Sequence, residues 1–275
     1  MSILDINLIL ASFGGGVFGA ALGPIVAFIF CGVLGLSGIT AVVLGNTDIL
    51  NVIAFGPYFG PHISFGSAVV ATAYAGNKEL LHGGKDLLTP LYKFRRFDVL
   101  LVGGLFGVLS YLVNGFLAET NIPVDTIALT VVIANILGRL IFGKSGLFGN
   151  STEEIKIKIN SSIVHFNLLL GFSVGLISSY ATSITESLVI GYAISATILI
   201  FLYFDEFPVT HHVSISAAYA TLATSNILVG GIFGILAIFL GEMVGNLFNS
   251  MADTYIDPPA VVIALLSAVV SIFLQ

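Results

Sequence analysis

The sequence has few charged residues, one cysteine and no tryptophan. Charged residues make up only 9% of its 275 residues, against about a quarter in soluble domains, so the chain cannot cover a water-facing surface. The single Cys31 excludes an intramolecular disulfide framework, and we expect it to pack as a small apolar residue. All nine basic residues lie between Lys78 and Lys158, and charges confined to a few loops do not indicate nucleic-acid binding.

Apolar residues and glycine are abundant instead. Hydrophobic residues make up 57% of the chain, the mean hydropathy is +1.07, and 31 residues are glycine, which lets helices approach closely in lipid. At about 20 residues per crossing, the length allows roughly eight to ten spans. The first residues lack the basic region of a cleaved signal peptide, so we expect the first apolar stretch to be retained. We predict an all-α polytopic membrane protein.

Three sequence blocks occur twice in the same order. They are GPHISF (60–65) and THHVSI (210–215), LVGGLFGVL (101–109) and LVGGIFGIL (228–236), and Asp125 and Asp257, each at the start of an apolar run. Recurrence in the same order indicates an internal duplication. The first copy carries an additional charged segment, residues 78–98.

The duplication predicts two tandem membrane repeats, residues 1–145 and 160–275, joined by a linker at 146–159. Each repeat has four to five transmembrane helices. If the short segments headed by histidine cross the membrane, each repeat has five crossings and the two are inverted. If these segments enter and return, each repeat has four and the two are parallel. We favour the inverted arrangement, which is common in transporters.

The basic residues predict the orientation. By the positive-inside rule, loops 78–98 and 144–160 face the cytoplasm, across a cytoplasmic membrane. Arg139 lies five residues before Lys144, and we expect its side chain to extend to that surface.

The paired histidine motifs predict a solute site. Short apolar segments broken by glycine or proline at matching positions of two halves mark transporter binding sites. Pro61 and Thr210 indicate helix starts, with Thr210 as the N-cap, and a half-helix that starts inside the membrane directs its N–H groups and positive dipole end inward. The predicted solute-binding residues are His62, Ser64, His211, His212 and Ser214. Alternatively the histidines are interfacial, above all His211, and the serines bond helix carbonyls.

Three carboxylates are candidates for a coupling proton. Asp125 and Asp257 occupy equivalent positions, but helix capping alone explains both, and Pro258 after Asp257 strengthens that interpretation. Glu242 lies near the end of an otherwise apolar span, where an ionisable residue is a functional candidate. It is also close enough to Asn246 to reach the interface.

Signatures of several enzyme classes are absent. The chain has no Gly-x-Ser-x-Gly elbow, no Walker lysine loop, no cysteine pair and no His-Glu-x-x-His. The adjacent His211 and His212 point in different directions in a helix or strand. We expect no catalytic residues, no metal site and no cofactor.

Four segments carry a resemblance to a known family: residues 13–20, 60–65, 209–212 and 256–260. In these segments the chain resembles an uncharacterised prokaryotic family of permease-like integral membrane proteins. The resemblance implies a bacterial cytoplasmic membrane protein and brings no substrate or mechanism.

We therefore predict a transporter or permease that moves a small polar, anionic solute through a site between the two repeats. Its partners would be the solute and the lipid bilayer, and homo-oligomers are left open. The alternatives are a non-transporting scaffold or subunit, in which loop 78–98 docks a cytoplasmic protein, and a channel.

Overall fold

The computed structural model describes residues 3–149 and 161–274, and within these ranges the elements are helices joined by loops, with no β-strand. The first half contains α1 (Ile6–Leu22), α2 (Pro24–Val43), α3 (Ser64–Asn77), α4 (Phe97–Glu119) and α5 (Thr126–Phe142). The second half contains α6 (Ser161–Thr185), α7 (Ile190–Thr197), α8 (His211–Thr224), α9 (Ile227–Asn249) and α10 (Pro258–Phe273). Shorter pieces are a π-helix at Ile49–Ala54 and 3₁₀ helices at Leu91–Phe94 and Ile198–Tyr203. The prediction of an all-α fold is confirmed.

Four helices, α2, α4, α6 and α9, are long and apolar enough to cross a membrane. Four further apolar helical segments are shorter: α1, α5, α10 and α7 with its 3₁₀ continuation. Large apolar side chains such as Phe116, Phe166 and Leu169 are exposed on the outer surface. Exposed apolar side chains on helices of this length indicate association with a membrane, because hydrocarbon replaces water as their solvent.

Glycines allow two helix pairs to approach closely. On α1, a Cβ added to Gly16 would collide with the carbonyl oxygen of Gly103 on α4. On α6, a Cβ added to Gly175 would lie 2.9 Å from the carbonyl oxygen of Gly230 on α9. The repeated Gly-Gly blocks therefore mark the crossings of α1 with α4 and of α6 with α9, where only a residue without a side chain leaves room for the opposite backbone.

Equivalent helices in the two halves pack on equivalent neighbours. In the first half α3 packs on α1, α4 and α5, and in the second half α8 packs on α6, α9 and α10. The halves meet where α2 packs on α7 and α5 packs on α10. Both α3 and α8 have 14 residues, rich in alanine and buried over most of their length, as expected for helices that are apolar on all sides.

The charged segment 78–98 packs against the rest of the protein. Gly84 N donates to Asp253 O (2.9 Å), and Lys85 Nζ donates to Asn249 O (2.9 Å). The next residues contact both halves, because Leu87 O accepts from Ile25 N (3.1 Å) and Leu88 O accepts from the Tyr203 hydroxyl (2.9 Å). The segment is an integral part of the packed structure.

Arg139 does not extend to the surface, so that prediction is wrong. Its side chain is 1% exposed. The guanidinium donates to Thr254 Oγ1 (2.9 Å), Leu147 O (2.8 Å), Phe248 O (2.6 Å), Asn249 Oδ1 (3.0 Å) and Thr254 O. The α9–α10 connection thus surrounds Arg139 with oxygen acceptors, and a fully hydrogen-bonded guanidinium tolerates burial. This contact joins α5 to the second half.

A second contact beside Arg139 involves Asp253. Its carboxylate accepts from Lys144 N (2.7 Å) and from Ser145 Oγ (2.6 Å). Burial acts to raise the pKa of Asp253, but these hydrogen bonds outweigh it and hold the pKa below its ordinary value. Of the predicted linker 146–159 and loop 144–160, residues 150–160 lie outside the described residues.

Candidate functional site

A cavity of about 380 Å³ lies between the two halves. It is lined by residues of α2, α3, α5, α7, α8 and α10 and of the π-helical segment. Most of the lining is apolar or aromatic, and the aromatic members are Phe28, Phe55, Phe65, Tyr192 and Tyr219. The ionisable groups in the lining include Asp125, His211 and Asp257. An apolar pocket with a few convergent polar groups is the usual form of a small-molecule site.

His211 is the first residue of α8 and lies at the wall of the cavity. Its ring centroid is 4.5 Å from that of Phe28 and 5.7 Å from that of Tyr192. The side chain is only 5% exposed, and its Nδ1 has no hydrogen-bond partner among the described residues. A buried polar atom without a partner is unfavourable unless another molecule binds it. Nδ1 of His62 and of His212 also has no partner, so the position of His211 in the cavity wall is what makes it a candidate to contact a solute.

Asp125 and Asp257 cap the helices α5 and α10, as the capping interpretation predicts. Asp125 Oδ1 accepts from Ala128 N (2.8 Å), and Asp257 Oδ2 accepts from Ala260 N (2.9 Å). Each aspartate also bonds to the other capped helix, because Asp125 N donates to Ser267 Oγ (2.8 Å) and Asp257 N to Asn135 Oδ1 (3.2 Å). Capping does not remove them from the cavity, since both line it.

Tyr219 connects α8 to one of these caps. Its hydroxyl donates to Asp125 Oδ2 at 2.8 Å, across the boundary between the halves. Tyr219 and Tyr192 are not among the residues predicted from the sequence. A tyrosine in the alanine-rich run of α8 is a usable signal for Tyr219, because a buried hydroxyl needs a partner.

His62 and His212 are buried but lie outside the lining of this cavity in the described structure. The ring of His212 packs beside Gly241 of α9, where an added Cβ would lie 2.8 Å from Nε2. His62 precedes α3 and packs beside Gly60 in the same way. The repeated histidines therefore face neighbouring backbone, and the adjacent His211 faces the cavity.

The two predicted serines bond to neighbouring helices and carbonyls. Ser64 Oγ donates to Phe59 O (3.1 Å) and lies 3.2 Å from Cys31 Sγ. Ser214 Oγ lies 2.8 Å from Ser195 Oγ of α7. The sequence predicts Thr210 as the N-cap of α8, but its side chain makes no capping hydrogen bond. Its hydroxyl donates to Ser195 Oγ instead (3.4 Å). These polar groups join α2 to α3 and α7 to α8.

Glu242 lies on α9, where its side chain is exposed and accepts a hydrogen bond from Asn167 Nδ2 of α6. It does not belong to the lining of the central cavity. Among the residues that the structure describes, no three His, Cys, Asp or Glu side chains are close enough to hold a metal ion.

A second cavity, of about 340 Å³, lies on the other side of a thin wall. Both cavities are lined by Phe28, Phe65, His211 and Asp257, and we call these four residues the shared wall. The second cavity is also lined by Lys85, which precedes α4, whereas the first is lined by Asp125, which follows α4. The two cavities therefore extend from the shared wall toward opposite ends of the protein.

The chain belongs to a family of unknown function, DUF7973, whose model matches residues 1–158 and 164–275. No curated protein and no solved structure matches the chain. The resemblance to an uncharacterised family agrees with this match.

Proposed function

We propose that this protein is a membrane transporter that binds a small polar solute in the central cavity between its halves. The observation that carries the proposal is the cavity of about 380 Å³ with Asp125, His211 and Asp257 in its wall. Ionisable residues inside a membrane protein are unfavourable and usually serve a substrate or proton pathway. The same aspartates are the candidates for a coupling proton.

We further propose that the halves are inverted repeats. Helices α3 and α8 have equal lengths, and so do α4 and α9, with 23 residues each. At the end of α3, Asn77 Nδ2 donates to Phe142 O at the C-terminal end of α5 (2.8 Å), whereas Tyr219 of α8 reaches Asp125 at the N-terminal end of α5. From the interior, α3 and α8 thus run toward opposite ends of α5, which supports inversion.

The shared wall is the barrier that this mechanism requires. In alternating access, one group of helices moves against another and opens a central site to one side at a time. Phe28 and Phe65 close the space between the two cavities, with their ring centroids 4.9 Å apart. Rotation of α2 against α3 would separate these rings and expose His211 and Asp257 to the other cavity.

The proposed orientation places the second cavity toward the cytoplasm. Lys85 lies at its edge, and loop 78–98 carries five of the nine basic residues. The cell membrane of a prokaryote is the proposed location. A scaffold that uses loop 78–98 for docking is a weaker alternative, because this loop is bonded to Asn249 and Asp253 of the second half.

The test is thiol labelling of single cysteines in a Cys31→Ala background, in vesicles of both orientations. Ile127→Cys reports the central cavity, Leu87→Cys the second cavity, and Leu169→Cys, which is 70% exposed on the outer surface, the lipid-facing control. We expect a membrane-impermeant maleimide to label position 127 from one side, position 87 from the other, and position 169 from neither. No labelling at position 127 from either side would reject the proposal, and labelling there from both sides would indicate a channel.

A further inference from the structure

We infer that the solute is a small organic cation that carries a protonated or quaternary amine. The inference rests on the proposed function and names the class of solute for the central cavity. Three features of the described lining carry it: a cluster of aromatic rings, two carboxylates without a basic partner, and an unpaired imidazole nitrogen.

The aromatic rings form a continuous group along one part of the cavity. Phe28 lies at its centre, with ring centroids at 4.9 Å from Phe65 and 5.6 Å from Tyr192, and Phe55 lies 5.8 Å from Tyr192. Aromatic faces attract ammonium groups because the ring carries negative charge on its faces, and clusters of several rings bind quaternary amines. A neutral apolar solute would use the same rings, so they do not determine charge alone.

The charge is determined by the carboxylates. Asp125 and Asp257 line the cavity, and no lysine or arginine of the described residues belongs to its lining. The N-terminal ends of α5, α8 and α10 offset part of this negative charge, since each end carries about half a positive charge. With both carboxylates ionised, about half a net negative charge is left, and it acts in a poorly screened environment. This favours a monovalent cation.

The same caps weaken the case for an anionic solute, which the sequence predicts from half-helix N-termini. At α5 and α10 the first-turn N–H groups of Ala128 and Ala260 already bond to Asp125 and Asp257. An anion at either helix end would have to displace a carboxylate or lie beside it. The N-terminal end of α8 is different, since it presents the His211 ring.

His211 is the imidazole in the described lining of the cavity. Its Nδ1 is buried and unpaired, as is Nδ1 of His62 and of His212, but those two residues do not line the cavity. In a neutral imidazole one ring nitrogen accepts a hydrogen bond, and an ammonium group has only donors. A rotation of the His211 ring that brings Nδ1 to the cavity would let it accept an ammonium N–H. The cavity volume of about 380 Å³ is near the lower end of the range for ligand pockets, which limits the solute to a small molecule.

The experiment uses the absence of tryptophan from the chain. Phe55→Trp places a single fluorescent tryptophan in the cavity wall with a small change in volume. This protein is titrated at constant ionic strength with tetramethylammonium chloride, ethylammonium chloride, sodium acetate and tert-butanol. Calorimetric titration of the unmodified protein with the same four compounds is the second measurement, in case the tryptophan disturbs packing.

We expect a saturable response to the two cations and none to acetate or tert-butanol. Asp257→Asn should weaken cation binding by about tenfold or more, the effect of removing one charge at a poorly screened site. Asparagine keeps the oxygen that caps α10, so the helix is retained. The control Glu119→Gln removes an exposed carboxylate at the end of α4 and should change nothing.

Three results would overturn the inference: binding of acetate as tight as that of the cations, equal binding of tert-butanol, or no effect of Asp257→Asn. If position 127 labels from one side but neither cation binds, the inference about the solute is also overturned. The proposed transporter then remains. If position 127 does not label, the proposed function itself fails.

Discussion

The starts of α3 and α8 have the same sequence pattern but different surroundings. Where the first copy has Pro61, the second has His211, and both line the central cavity. The next position is histidine in both copies, and both His62 and His212 face away from the cavity lining. The position that recurs is thus a packing position, and the position that differs carries the polar group at the cavity.

A second difference of the same kind lies further along these helices. Tyr219 of α8 binds Asp125, and the equivalent residue of α3 is Val69, which is buried in the apolar core. The cavity therefore takes His211 and Tyr219 from α8, whereas the duplicated caps Asp125 and Asp257 also line it. Within α3 and α8, this contrast teaches that the repeated histidine is a packing position and that the positions that differ carry the polar groups at the cavity.

The largest expected effect tests a feature that only one half possesses. Arg139→Met should lower the free energy of unfolding by about 3–5 kcal/mol, because a buried network of oxygen acceptors would lose its donor. The measurement is the thermal midpoint in detergent. The equivalent residue of α10 is Ser271, and Ser271→Ala should change stability by less than about 0.5 kcal/mol. Equal effects of the two variants would contradict the role assigned to Arg139.

The next effect concerns the crossing glycines, which both halves possess. Gly16→Ala should destabilise the protein by about 1–3 kcal/mol, because the methyl group meets the backbone of α4. Gly175→Ala should destabilise the protein less, since the added methyl group would lie 2.9 Å from its nearest neighbour, the carbonyl oxygen of Gly230. The control is Gly14→Ala, where nothing lies within 4 Å of the added methyl group. A neutral Gly16→Ala with unchanged thermal midpoint would show that α1 and α4 are not closely packed.

The third prediction separates the histidines by function. His211→Ala should weaken binding of tetramethylammonium or of the transported solute by about tenfold, because its ring lines the cavity. His62→Ala should leave binding by the folded fraction unchanged, because the ring packs outside the cavity lining. Both variants should lower the thermal midpoint, because both rings are buried. Titration and melting of both variants provide the comparison. Loss of binding in His62→Ala but not in His211→Ala would place the solute site at the repeated histidines instead.

The smallest effect concerns the bond between the halves at Asp125. Tyr219→Phe removes a hydroxyl that donates at 2.8 Å, and we expect a loss of about 1 kcal/mol in stability. The matched control is Tyr180→Phe on the exposed face of α6, which should be neutral. Thermal melting of both variants measures the difference. Identical melting of Tyr219→Phe and the unmodified protein would remove the argument that this bond stabilises the contact between α8 and α5.

Several predictions from sequence agree with the structure because they depend on local features. Asp257 followed by Pro258 predicts a helix start, and α10 begins there. Residues 49–60 contain glycine and proline, which predicts irregular structure, and the chain forms only a short π-helix there. Thr210 is a counterexample, since the hydroxyl that the sequence assigns to capping binds Ser195 instead. A nearby side chain competes for the same hydroxyl, and no local pattern reveals it.

The sequence by itself determined the helices, their apolar surfaces and the capping aspartates, because these follow from composition and spacing within one segment. Only the tertiary structure decided that His211 lines the cavity while His62 and His212 face backbone. It also decided that Arg139 is enclosed by oxygen acceptors, most of them more than 100 residues away in the chain. The physical reason is that adjacent positions of a helix point about 100° apart, so the rotation of each helix against its neighbours selects which residue reaches the site.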